Sequence, residues 1–578
     1  MGQHDTVHRD AIYTEPRECQ DCHKCIRECP VKAIRVQDTV ARVVPEQCIM
    51  CGNCVLACPR NAKQVRDDLP AAQQLLTSGR RVVVSLAPSF VSQFPGIRPA
   101  QLIQALKRLG FYAVSETALG AQQVSASVRT LMNSEPKQAW ISSACPVVVD
   151  YISKYKPDCL PHLSAILSPL LSHCKLLRAH FGEDVAIVFI GPCIAKKKEA
   201  EQHPELLDVV LTFEDLEHWL NEEGIALDAL LTTAADCFEP AAAQEGALYP
   251  IEGGMGRGIV GLSKDADARF MSFSGLANIE QAIAGIDAWK LDESLFLEMT
   301  ACAGSCVNGP KARRNASVAQ RRYNIVSYAS TAENPEEASV RTTQTYAPRP
   351  ITQDEYTEMQ LKEALRTVGK YTSEDELNCG GCGYDSCREF AHALMAAKAE
   401  RMMCATYTRK LAQKKANALL QRMPSAVVIV NDQLKIIECN ANFLRLFAED
   451  VESPAQLEGM ALTGLIPSVS LFRRVLESGE DIVGHDVRFE RSILNASIFT
   501  IEPHSVVGGI FQDITEPAFQ KEQIIERARE VIQKNLKTVQ QIAYLLGENA
   551  ADSEIILNSI VKSFSPEDAD EDAPGGQH

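Results

Sequence analysis

The 578-residue chain has no apolar run long enough to cross a membrane. Runs such as Val185 to Ile190 fall far short of the roughly 20 residues that a bilayer core requires. Met1 to Asp10 is polar and lacks the apolar stretch of a secretory signal, and Gly2 with Thr6 fits the myristoylation pattern only formally. The expectation is a cytoplasmic protein with no membrane partner. An excess of positive charge is missing as well: 58 basic residues face 75 acidic ones, for a formal net charge of -17. Such a chain repels phosphate backbones, so no nucleic-acid partner is expected from bulk electrostatics. No glycine-rich nucleotide loop stands between a strand and a helix, and no kinase motif set is present. Any signal from this chain must pass to a separate partner.

What the chain has in quantity is cysteine. Twenty cysteines without a secretory signal argue for metal ligands in a reducing compartment and against disulfides. The length predicts several domains, roughly three to five. The first module reads Cys19-x2-Cys22-x2-Cys25-x3-Cys29-Pro30 and then Cys48-x2-Cys51-x2-Cys54-x3-Cys58-Pro59. Three thiolates at that spacing wrap one face of a cubane, while the fourth, before proline, reaches the neighbouring cluster. Cys19, Cys22, Cys25 and Cys58 are assigned to one 4Fe-4S cluster, and Cys48, Cys51, Cys54 and Cys29 to the other. Residues 1-70 resemble a bacterial two-cluster ferredoxin. Zinc is the alternative, but it favours pairs of C-x2-C.

From Arg80 to Tyr328, apolar runs alternate with helical stretches, which predicts an α/β layered domain. The predicted strands are Val82 to Leu86, Tyr112 to Val114, Ala139 to Ser142, Val185 to Ile190, Val209 to Thr212 and Leu295 to Met299. Gln101 to Leu109 reads as an amphipathic helix closed by Gly110. Cysteines follow three of these strands: Cys145 in S-S-A-C-P, Cys193 in G-P-C-I-A-K-K-K-E, and Cys302 with Cys306 in T-A-C-A-G-S-C-V-N. Ligands collect at the carboxyl ends of strands in open α/β sheets. Four thiols from three loops can therefore converge, and four thiolates are the normal complement of a 4Fe-4S cluster.

Together the three loops resemble the signature of the iron-only (FeFe) hydrogenase family, whose members carry T-S-C-C-P, P-C-x-x-K-x-x-E and A-C-x-x-x-C-x-N-G in this order. The resemblance implies an H-cluster domain over 80-328. Cys145, Cys193, Cys302 and Cys306 would hold the cubane, and Cys306 would bridge to a di-iron subsite with CO, cyanide and dithiolate ligands supplied by maturation enzymes. Lys196, three after Cys193, stands where the family hydrogen-bonds a cyanide. Pro88 and Ser89 match the A-P-S loop beside the same subsite. Taken singly, Lys196 in a run of three lysines reads as a solvated charge.

The departures from that pattern concern protons. Where the family has two adjacent cysteines this chain has Ala144 and then Cys145. The two positions that carry relay carboxylates in the family fall on Val128 and Leu131. Ser164 is retained, with helix capping as the plain reading. Gly191 and Thr300 replace family methionines, and the last loop shortens to Gly309-Pro310. A proton path needs a donor within hydrogen-bond reach at each step. The resemblance is accordingly to the PAS-containing sensory subgroup, and slow turnover is expected.

Residues 329-354 are polar and without apolar period, which reads as a linker. Cys379-x2-Cys382-x4-Cys387-x16-Cys404 follows within 355-410. Gly380, Gly381 and Gly383 permit a tight wrap, and Arg388 to Met403 reads as a helix delivering Cys404. This stretch resembles a small four-cysteine 4Fe-4S domain, with structural zinc as the alternative. Cys159, Cys174, Cys237 and Cys439 show no metal spacing and read as ordinary residues.

Residues 411-517 show two short strands, Ala426 to Val430 and Lys435 to Glu438, and a helix from Asn440. Three further strands follow at Asp486 to Arg491, Ser497 to Glu502 and Val506 to Gln512. The order resembles a PAS sensory domain. In 518-565, Ile525, Ile532, Val539 and Leu546 recur every seven residues, which suits either a homodimer-forming or output coiled coil, with Asn535 setting register, or a helix packed on its own domain. Residues 566-578 read as an acidic disordered tail.

The expected architecture is thus multidomain α/β and α+β. It comprises a ferredoxin-like two-cluster module, an α/β H-cluster domain, a four-Cys iron-sulfur domain, a PAS-like α+β domain and a C-terminal helix. The expected cofactors are three 4Fe-4S clusters and one H-cluster. The expected function is a hydrogen or redox sensor with slow dihydrogen oxidation and proton reduction. Expected partners are dihydrogen and protons, a redox protein such as ferredoxin, the maturation enzymes, and a separate kinase or phosphatase. The rival readings are a working ferredoxin-linked hydrogenase and a non-catalytic iron-sulfur scaffold.

Overall fold

The computed structural model describes residues 10-133, 137-260, 269-314, 316-329, 339-352, 354-490, 492-546 and 559-560. The acidic tail, Met1 to Arg9 and residues 330-338 of the expected linker lie outside the described residues. The chain folds as two compact units, Met1–Thr408 and Arg409–His578. Among the described residues, no helix is long and apolar enough to cross a membrane.

The first unit opens with two antiparallel strand pairs. Strand β1 (Ile12–Thr14) pairs with β4 (Lys63–Val65), and β2 (Ile34–Gln37) forms a hairpin with β3 (Val40–Val43). Asp38 and Thr39 turn that hairpin with positive φ at both residues, the handedness that matches strand twist.

The larger domain contains two parallel sheets. One has the order β6 (Ala113–Glu116), β5 (Val82–Leu86), β8 (Ala186–Gly191), β9 (Val209–Thr212); the other has β10 (Phe270–Ser274), β11 (Leu295–Thr300), β7 (Ala139–Ile141). Strands β5, β8 and β11 are buried along their whole length, as continuous apolar runs covered on both faces must be. The expected amphipathic helix spans Pro99–Arg108. Strand β10 was not expected from sequence. Its segment F-M-S-F-S is half-buried and interrupted by serines, so no apolar run announces it.

Two expectations are corrected. The expected linker is an extended strap bound to the larger domain over residues 339-351. The Ser339 amide and hydroxyl both donate to Gln123 Oε1, Leu167 N donates to Thr342 O, Gln344 N to Ala165 O, and the Tyr346 hydroxyl to Ile166 O. Its attachment runs through hydrogen bonds, which apolar periodicity does not register. The helix expected over Arg388 to Met403 ends at Met395; Ala397 takes a positive φ, and a single 3-10 turn, Arg401–Met403, presents Cys404. Helix Glu358–Arg366 packs on helix Cys387–Met395 through Leu361, Leu365 and Ala391.

In the second unit, five antiparallel strands form one sheet. The order is β13 (Ile436–Cys439), β12 (Ala426–Asn431), β16 (Val506–Asp513), β15 (Ser492–Glu502), β14 (Ile482–Phe489). Asn440 caps the following helix: its Oδ1 accepts from the Phe443 and Val427 amides. Helix Thr515–Leu546 contains the seven-residue repeat; of its members Ile525 is exposed and Ile532 half-buried. The side chains of Val539 and Leu546 lie outside the described residues.

Candidate functional site

The carboxyl ends of both parallel sheets meet at one cavity of about 120 Å³. Strand β7 runs through Ser142 and Ser143 into Cys145, which precedes helix Pro146–Tyr155. Strand β8 delivers Cys193 just before helix Ala195–Gln202. Strand β11 delivers Cys302 and Cys306 through a tight turn in which Ser305 N donates to Cys302 O at 2.9 Å, with Gly304 and Ser305 both at positive φ. All four cysteines line the cavity, as do Pro88, Ser89 and Lys196.

The thiols of Cys193, Cys302 and Cys306 resist ionisation in this setting. Burial pushes Cys193 up to about 11, and burial together with the neighbouring thiols raises Cys302 well above the ordinary range. Desolvated thiolates placed together need a cationic centre to form. Among the described residues no three His, Cys, Asp or Glu side chains are spaced to hold a single metal ion. Four thiolates are the normal complement of a 4Fe-4S cluster, and these four are the residues that would hold one here.

Lys196 is not a free cation. Its Nζ donates to Glu199 Oε2 at 2.6 Å and to Ser168 Oγ at 3.1 Å, and both residues of the ion pair are buried. Its charge nonetheless acts to lower the proton affinity of Cys193 and Cys306. Ser164 does not reach the cavity. Its Oγ accepts from Ser143 N at 3.1 Å and pairs with Ser143 Oγ at 3.0 Å, so it braces the loop entering Cys145. It caps no helix either; Ser168 caps Pro169–Phe181.

Val128, Leu131 and Ala144 fall in a single apolar cluster with Val124, Ile166 and Met255. This cluster adjoins the cavity through Ala144 and Met255. Where Gly191 stands, a Cβ would lie 2.5 Å from the Phe189 ring, so the ring occupies the space a longer side chain would need.

Glu298 lines the same cavity and was missed in the sequence. Its carboxylate accepts from Gly253 N and Gly256 N, each at 3.2 Å, and from Ser272 Oγ at 3.1 Å. Burial outweighs these bonds and pushes it up to about 7. Ser272 is half-buried on β10, at the sheet edge, so the pair spans from cavity to periphery. The available signal was a lone carboxylate inside the run L-F-L-E-M.

Twelve of the other sixteen cysteines fall in three further groups. Burial and the charges of Cys19, Cys22 and Cys58 raise Cys25 to about 11. Burial and Cys29 with Cys48 raise Cys51 to about 12. Cys58 is instead lowered by backbone amides, against the burial that raises it. Cys379, Cys382, Cys387 and Cys404 share one small cavity. The second group abuts the large cavity: a Cβ at Gly52 would lie 2.6 Å from Pro310, and Cys302 feels the charge of Cys51. Lys154 Nζ donates to Glu46 O and Cys48 O across the same boundary. Cys159, Cys174 and Cys439 are buried and Cys237 is exposed.

Residues 80-310 match the family described as iron only hydrogenase large subunit, C-terminal domain. This part of the chain resembles the C-terminal domain of iron-only hydrogenases. Residues 11-59 match a 4Fe-4S dicluster domain and residues 375-417 a family described as putative Fe-S cluster, so the hydrogenase-like segment lies between two iron-sulfur matches. The periplasmic [Fe] hydrogenase large subunit of Nitratidesulfovibrio vulgaris is 24% identical over 274 residues, 39% of this chain and 65% of its own length. The cytosolic Fe-S cluster assembly factor nar1 of Aspergillus clavatus is 36% identical over 100 residues, 16% of this chain and 17% of its own length. The chain thus matches less than two thirds of either relative. Among solved structures, [FeFe]-hydrogenase HydA1 from Chlamydomonas reinhardtii covers 50% of this chain and 100% of its own, with 19% identity and a TM-score of 0.41. The PAS domain of nitrogen regulation protein NR(II) from Vibrio parahaemolyticus covers 17% of this chain and 97% of its own, with 23% identity and a TM-score of 0.15.

Proposed function

We propose that the chain is a hydrogen or redox sensor that oxidises dihydrogen and reduces protons slowly at a hydrogenase-type site. The carrying observation is that the four-thiol cavity is complete while the surroundings at Ala144, Val128 and Leu131 are an apolar cluster. Methyl, isopropyl and isobutyl groups neither donate nor accept protons, so no relay runs through them. Cys145, Cys193, Cys302 and Cys306 would hold the H-cluster, which when bound supplies the two-electron chemistry of dihydrogen. Lys196, fixed by Glu199 and Ser168, places a buried positive donor at the cavity wall. Glu298 is the carboxyl there whose proton affinity lies near neutral pH, and it takes over proton exchange through Ser272.

In this reading the three other cysteine groups hold 4Fe-4S clusters that carry electrons between the site and a redox protein, and maturation enzymes load the di-iron subsite. The five-stranded domain acts as a PAS-type output module that signals to a kinase or phosphatase, alone or as a dimer. Signalling requires that both ends bias one two-state element. The short, well-matched likeness to nar1 favours a second reading, an iron-sulfur assembly scaffold without a di-iron subsite. Infrared spectra of matured protein decide between them. CO and cyanide bands with slow turnover are expected; their absence would leave the scaffold, and turnover as fast as a prototypical hydrogenase would remove the sensor.

A further inference from the structure

Tyr384 follows the glycine of C-G-Y in the four-cysteine domain. Its side chain is 3% exposed, and its hydroxyl has no hydrogen-bond partner among the described residues. Buried phenols nearly always find one, because leaving the group unpaired costs about 1–3 kcal/mol. Tyr384 lines the cavity shared by Cys379, Cys382, Cys387 and Cys404. The charges that bear on it most, after burial, are those of Cys382 and of Cys29 in the adjacent ferredoxin group. The ring packs on Phe390, with centroids 6.0 Å apart.

The neighbouring backbone fixes this position. Gly383 takes φ +90°, and a Cβ there would lie 2.9 Å from Ile26 Cβ and 3.0 Å from His23 O. Lys32 Nζ donates to Gly383 O at 3.2 Å, Arg27 to Gly380 O at 3.3 Å, and Val36 N to Lys398 O at 2.8 Å. The four-cysteine domain is therefore held on the ferredoxin domain with the Tyr384 ring next to both groups of thiols.

We infer that Tyr384 donates its O–H to a sulfur of the iron-sulfur group in the four-cysteine cage, and so sets the potential of that group. The inference rests on the cluster reading above. Adding one electron increases the negative charge on sulfur, and a hydrogen bond to sulfur strengthens with that charge, so the donor favours the reduced form. No proton is transferred and no bond is broken. Tyr384 is a positioning and tuning residue, and its effect is on the electron's distribution.

The test uses the full chain with reconstituted clusters, Tyr384→Phe, and a potentiometric titration followed by electron paramagnetic resonance. The variant removes only an oxygen that lacks a protein partner, so the ring packing persists. The expected result is a roughly tenfold shift of the four-cysteine cluster toward its oxidised form, 59 mV for one electron, with the ferredoxin signals unmoved. Unchanged potentials overturn the inference, as does a shift confined to the ferredoxin signals or a hydroxyl bonded only to water. Should the variant lose its cluster, pulsed resonance on the reduced wild-type protein after brief exchange into deuterium oxide must still show a coupled, exchangeable hydroxyl proton; its absence overturns the inference. Iron and sulfide analysis separates the two levels. Zinc in the cage removes the cluster reading and the inference together, while an intact fourth cluster with an unmoved potential removes only the role of Tyr384.

Discussion

Replacing Glu298 with glutamine tests the proton route directly. Burial raises the carboxyl from 4.5 to about 7. At 1.36 kcal/mol per pH unit, the folded protein prefers the neutral acid by roughly 3 kcal/mol. The sign follows from linkage: a raised carboxyl contributes fully below its unfolded value and loses that contribution as pH rises through the folded value. Stability of the hydrogenase domain should therefore fall between pH 4.5 and about pH 7, and half the molecules should carry the proton near pH 7. In Glu298→Gln that slope disappears. The amide also sets an N–H against one of the two backbone donors, Gly253 or Gly256, at a cost of about 1–3 kcal/mol. Glu298→Asp keeps a titrating group and separates the two effects. The assay is dihydrogen uptake by matured protein across the pH range, with the infrared band of the protonated carboxyl as an independent reading. The glutamine variant should lose roughly 10²-fold or more in rate and its midpoint near neutral pH, with partial rescue by aspartate. A glutamine variant with full rate and an unchanged pH midpoint would refute the assignment of proton exchange to Glu298.

Three further outcomes are expected. Ala144→Cys alone should raise the rate little, because Val128 and Leu131 leave the next step on that side without a donor; adding Val128→Glu and Leu131→Glu should raise it further, and a full gain from the single change would show that the apolar Val128 and Leu131 do not limit turnover. Gly52→Ala introduces a Cβ 2.6 Å from Pro310 at a positive φ, so the contact between the ferredoxin and hydrogenase domains must open; reduction of the ferredoxin clusters by dihydrogen should slow at unchanged iron content, as measured by stopped-flow absorbance. Ser164→Ala should destabilise the loop at Cys145 by about 1–3 kcal/mol through the unpaired Ser143 amide and leave the pH profile of turnover unchanged; a shifted profile would place Ser164 in the proton path.

Much of this protein is written locally. Cysteine spacing marks four groups of potential ligands because a cluster demands several thiols from a few adjacent backbone positions. Continuous apolar runs at Val82–Leu86 and Ala186–Gly191 mark central parallel strands because both faces of such strands are covered. Other features depend on neighbours distant in sequence. The strap over 339-351 is polar and aperiodic, and its order comes from partners such as Gln123 and Ala165. Glu298 looks like one acid in an apolar strand. Only the enclosing walls desolvate it enough to hold its proton near neutral pH. Likewise the sequence names Tyr384 and Gly383, but only the docking of one domain on another buries that phenol beside two groups of thiols. Ligand type and spacing are properties of short segments, and sequence alone determines them. Desolvation, proton affinity and electrical contact are properties of what surrounds a group, and only the tertiary structure decides them.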